Sequence, residues 1–159
     1  MGPHIYDGNG DLIWSGVDAF NGYDAFDFKV TNVGGKDVLT AIWPHGNGSV
    51  IINDNYELQK FVHTGVEKVT LNMHDFQIVD NGTRALYLKK DLKKTSTENS
   101  LAVDFDGHCN AEFTGFDEID LASDKLLFRW SPEGRIGLDE STIRRPRRQC
   151  RKQKPWDWL

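Results

Sequence analysis

The chain has almost no cysteine. Cys109 and Cys150 are its only two, too few and too far apart to define a disulfide framework. They leave two alternatives open: one bridge in an oxidising compartment, or two free thiols. Long apolar runs are missing as well. Nothing approaches the roughly 20 residues that a membrane-spanning helix requires, so the chain carries no such segment. No signal-peptide pattern opens the sequence, because Met1-Gly2-Pro3-His4 passes straight into strand-like residues. The chain reads as cytoplasmic or as a piece whose leader is missing, and the compartment stays open. Basic residues are scarce over most of the length. Arg144–Lys154 holds seven of the 19 Lys and Arg and no acid, which leaves 12 against 24 Asp and Glu elsewhere. An acidic body disfavours nucleic acid as a general partner, since phosphate binding runs on Lys and Arg.

What is present is aromatic residues in plenty, with Gly, Asn and Asp scattered at short intervals. That profile belongs to many short strands joined by turns. HIYDGNGDLIW (4–14) reads as a hairpin turning at Asp7-Gly8-Asn9-Gly10. Its Asp7, Asn9, Asp11 spacing is that of a calcium loop, but Leu12 stands where such a loop needs Gly, so a plain turn is expected and no metal. FDFKV (26–30) and DVLTAIW (37–43) are strands separated by Gly34-Gly35. The glycine-rich link at His45–Gly48 lacks the lysine and helix of a phosphate loop. SVIINDNYELQKFV (49–62) turns at Asn53-Asp54-Asn55, and TLNMHDFQIVDNGTRALYL (70–88) turns at Asn81-Gly82, where Asn and Gly supply the positive φ of a type I′ turn. Lys89–Ser100 has no apolar stripe and reads as a solvated loop. FDEIDLASDKLLFRW (116–130) is the last hairpin. Sequons occur at Asn47-Gly48-Ser49 and at the Asn81 hairpin tip.

Three of these hairpins share a plan: an apolar strand ending in Asp or Asn, a polar turn, and an aromatic-bearing return strand. A repeat of that kind suggests propeller blades, about three of them at roughly 40–45 residues each. Closed propellers need 4–8 blades, so the chain reads as part of a larger object. The expected architecture is all-β: a partial β-propeller of about three blades over 1–131, with an irregular or disordered basic tail over 132–159. The tail's RRPRRQCRK run also matches a nuclear-localisation or nucleic-acid patch, against which stands a flexible basic loop.

Chemistry is sought first at His74, followed by Asp75 and Phe76 and expected at the mouth of its strand. A titratable ring beside a carboxylate is a catalytic candidate. The alternative is a polar strand-end residue satisfied by hydrogen bonds.

Taken in order, several segments resemble the fungal branch of the arylsulfotransferase family. These are Gly2–Asp7 with Leu12–Gly16, Ile51–Glu57, His74-Asp75-Phe76, Phe116–Asp120 and Leu126–Ser131. The resemblance covers nearly all of 2–131. It implies a β-propeller with a central funnel that moves a sulfuryl group from a phenolic sulfate ester to a phenol, with no cofactor or nucleotide donor, through a transiently sulfated histidine. His74 would face the funnel, as nucleophile or as hydrogen-bond donor to the sulfate. The family's size makes this chain an N-terminal portion, with full-length relatives secreted. It departs from the family at Gly134-Arg135-Ile136, where relatives tend to carry Asp-His-Val, and over the basic stretch 142–154. Lys154–Trp158 resembles the lead-in to a strand that begins with a further histidine, and the chain stops at Leu159. The expectation is an incomplete arylsulfotransferase-like protein, inactive alone. The competing expectation is a non-catalytic β-rich module that binds a ligand or partner through exposed aromatics.

Overall fold

Alternating apolar and polar residues, broken every 8–12 positions by Gly, Asn or Asp, fold here into antiparallel hairpins. The computed structural model describes residues 2–43, 45, 47–64, 70–96, 108–137, 140 and 156–157. No α-helix occurs among them. Strands β1 (His4–Tyr6) and β2 (Leu12–Ser15) form a two-stranded first sheet. The second sheet is a meander of β3 (Phe26–Val33), β4 (Lys36–Trp43), β5 (Gly48–Ile52) and β6 (Leu58–His63), paired in that order. The third is a meander of β7 (Thr70–Val79), β8 (Arg84–Ser96), β9 (His108–Asp120) and β10 (Leu126–Trp130). Trp156-Asp157 (β11) adds to it in parallel beside Ala111 and Glu112 of β9. All-β architecture is therefore as expected.

The turns explain the repeat. Asp7 Oδ1 accepts the N–H groups of Asn9 and Asp11 at 2.8 and 2.9 Å. Asn53 Oδ1 accepts those of Asn55 and Glu57 at 3.0 and 2.9 Å. Asp120 Oδ1 accepts the Ser123 N–H at 2.8 Å and its hydroxyl at 2.6 Å. In each hairpin the Asp or Asn that ends the strand closes the turn over itself, the Asx device that short polar side chains permit. At the third sheet's first hairpin, Asn81 (φ 54, ψ 34) and Gly82 (φ 91) are the two central residues, and Thr83 N–H returns to Asp80 O at 3.2 Å. That geometry is type I′.

Sheets two and three face each other. Val38, Ile42, Ile51 and Val62 from one meet Leu71, Phe76, Ala85, Tyr87, Ile119 and Leu121 from the other in the main core. Between the two sheets, β7 is set against β3 and β4. The other face of sheet two is covered by Phe20 and Trp14, which pack with Ala41, Val50 and Ile52. Opposite sides of one strand thus serve two cores, as period-2 alternation requires.

The expected loop after Leu88 is overturned over its described part. Lys89–Ser96 is strand, not solvated loop, and Lys89 is 1% exposed. The physical reason is charge pairing: Lys89 Nζ is bonded to Asp91 two residues on, on the same face, so the strand continues without an apolar stripe. In 132–159, the described residues comprise a turn in which Arg135 and Ile136 N–H return to Pro132 O, plus Gly137, Glu140 and β11. The basic run 144–154 and Cys150 lie outside them.

Candidate functional site

His74 does not sit at a strand mouth. It lies mid-β7, in a bulge. Leu71 pairs with Lys89 and Phe76 with Tyr87, so residues 72–75 of β7 lie against Leu88 alone on β8. The neighbouring sheet is irregular at the matching place. The β3 register slips between Phe26 and Lys29, and Asp27 there takes φ +49. Bulges re-aim side chains, and here two face each other. Asp27 fastens them: its Oδ2 accepts the Phe76 N–H at 2.8 Å and the Lys29 ammonium at 2.7 Å. Lys29 also reaches Asp75 Oδ1 at 3.4 Å, and Gln77 Nε2 donates to Asp75 Oδ2 at 2.8 Å. Burial opposes the Lys29 charge, but the two carboxylates outweigh it and hold its pKa above the ordinary lysine value.

The His74 ring is exposed, and its Nδ1–H donates to Oδ1 of the buried Asn72. With Nδ1 carrying the proton, the Nε2 lone pair is left outside, available to attack an electrophile or to accept a hydrogen bond. An anionic group arriving there needs cations or N–H donors. The nearest ammonium in the cluster, Lys29, is already shared by Asp27 and Asp75, so the cluster as folded presents negative charge.

A second polar constellation was not legible beforehand. Tyr87, Asp117 and Arg129 form one row across β8, β9 and β10. Asp117 is 0% exposed. Arg129 grips it with Nε to Oδ1 at 2.8 Å and Nη2 to Oδ2. The Tyr87 hydroxyl donates to the Thr64 carbonyl, with Asp117 Oδ2 3.2 Å away. Burial pushes the Tyr87 phenol well above its ordinary value, and the Asp117 charge adds to that; the bidentate bond to Asp117 raises Arg129. The only available signal was Asp117 alternating with Ile119 on an apolar face. The row depends on a three-strand register that no local pattern specifies.

Among the described residues no group of three or more metal-ligating side chains gathers; the Asp7 carboxylate is taken by its own turn. Asn81 is exposed at its hairpin tip, whereas Ser49 of the other sequon is buried. Cys109 lies on β9, and its pairing with Cys150 falls outside the described residues. No described helix is long and apolar enough to cross a membrane. Comparison with family models, curated proteins and solved structures finds no match to the chain.

Proposed function

We propose that this chain is part of an arylsulfotransferase-like propeller. Sheets two and three are successive blades, the β1–β2 hairpin belongs to a third, and His74 stands on the funnel wall. The observation that carries this reading is where His74 sits: on the first strand of its meander, in a bulge that Asp27 of sheet two fastens through the Phe76 N–H. In a propeller, such strands surround the central channel. In the complete reaction, His74 Nε2 attacks the sulfur of a phenolic sulfate ester and the phenolate leaves. A second phenol then takes the sulfuryl group and the imidazole is restored. Alone, the chain does not turn over, because Asp27 and Asp75 neutralise Lys29, the ammonium paired with the carboxylate that follows His74.

The test uses 4-nitrophenyl sulfate with phenol as acceptor. The expected result is no 4-nitrophenolate release above buffer for the natural chain or for His74→Ala. Histidine-dependent turnover would refute the inactivity. Asp75→Asn removes the carboxylate next to His74 and leaves Lys29 paired with Asp27 alone, and a sulfated His74 is then expected by mass spectrometry. No adduct in that variant counts against the nucleophile role.

A second reading, a non-catalytic module that binds a partner, is favoured by the outer face of sheet three. Leu86, Leu88, Phe116, Phe128 and Trp130 form an apolar stripe there, with Phe128 48% exposed. The fitting occupant is a further β-sheet, stacked as sheet two stacks on the opposite face. Sedimentation of Phe128→Lys discriminates, since this reading requires the variant to lose an association that the natural chain shows.

A further inference from the structure

A cleft lies away from His74, between sheets two and three, where the β3–β4, β5–β6, β7–β8 and β9–β10 turns converge. Its volume is about 620 Å³, within the range of small-molecule sites. Its floor is apolar: Val38, Ile51, Ile78 and Leu121. Most charges on its rim are already committed. Lys60 is held by Asp124 at 3.1 Å, Asp37 accepts Asn32 Nδ2 at 2.7 Å, and Asp120 holds Ser123. Two are not. Lys36 and Asp54 line the cleft and make no ion pair among the described residues. Lys36 opens β4 and Asp54 lies in the turn between β5 and β6, and both border the same cleft.

One free ammonium and one free carboxylate on the rim of one cleft, over an apolar floor, define the ligand. We propose that this cleft binds a small aromatic zwitterion of the α-amino-acid type. Its carboxylate meets Lys36, its ammonium meets Asp54, and its ring covers the floor. An inorganic anion lacks the apolar body, and an extended peptide holds its two end charges too far apart. The site does not depend on the sulfuryl-transfer reading, because it shares no residue with the His74 cluster.

Isothermal titration with L-tryptophan tests this, alongside tryptamine, which lacks the carboxylate, and indole-3-propionate, which lacks the ammonium. Saturable binding of L-tryptophan is expected, with each analogue about tenfold weaker, the size of one charge-assisted hydrogen bond. Lys36→Met should weaken L-tryptophan about tenfold and leave tryptamine unchanged. Asp54→Asn should do the reverse, sparing indole-3-propionate. Both substitutions are at exposed positions, and circular dichroism verifies their folding. His74→Ala should change nothing, which separates this site from the proposed reaction. No saturable binding of L-tryptophan, analogues binding as well as L-tryptophan, or affinity indifferent to both substitutions would overturn the proposal.

Discussion

Asp117 has no exposed surface, and a lone carboxylate in that position would not be tolerated. It persists because Arg129 binds it bidentately and Tyr87 stands beside it. Removing the partner shared by both strands the other two. Asp117→Ala should therefore cost about 3 kcal/mol by urea denaturation, at the low end for a broken buried pair because Arg129 can turn toward solvent. Tyr87 gives the row a pH signature. Its folded pKa lies above the ordinary value of 10.0, so the fold holds the phenol proton more tightly than the unfolded chain does. The contribution is fully present below pH ~10 and is lost as pH rises through the folded value. Stability measured between pH 9 and 11 should decline less in Tyr87→Phe than in the natural chain. An unchanged alkaline slope would remove Tyr87 from the explanation. At this scale the sequence showed His74 and its carboxylate neighbour but not the row, because a residue's type is local and its cross-strand partners are not.

At the scale of elements, turns were the legible part. Asp7, Asn53, Asp120 and Asn81-Gly82 carry their chemistry in the side chain or in a tolerated φ, and each hairpin they close is present. Bulges were not legible. The slip that displaces His74 from a strand end to mid-strand is fixed by Asp27, 49 residues away from the Phe76 N–H it accepts. The extension of β8 past Lys89 was hidden for a related reason, since a charged run looks solvated until its charges are seen to pair. Glycine also acts here. A Cβ on Gly115 would lie 2.2 Å from the Trp130 carbonyl oxygen, where β9 and β10 run side by side. Gly115→Ala should force those strands apart and destabilise by about 1–3 kcal/mol, the range for overpacking. Amide exchange should accelerate in β10 and remain unchanged in β4. Uniform acceleration would mean that the contact is not local.

For the whole molecule, composition and turn spacing gave the class, all-β, whereas the stacking of sheets did not follow from either. Which faces meet depends on strands far apart in sequence: Phe76 and Ile119 of one meander against Ile42 and Ile51 of the other. That stacking places the His74 bulge against β3 and opens the cleft at the other end, so both functional proposals rest on it. It is tested most directly where two turns touch. A Cβ on Gly82 would lie 3.6 Å from the Cβ of Val33, within disulfide range. Val33→Cys with Gly82→Cys, the latter strained at φ +91 and so checked for folding by circular dichroism, in a chain also carrying Cys109→Ser and Cys150→Ser, should on mild oxidation give an intramolecular bridge between positions 33 and 82, found by peptide mapping. Thiols that stay free, or that bridge only between molecules, would contradict the face-to-face arrangement.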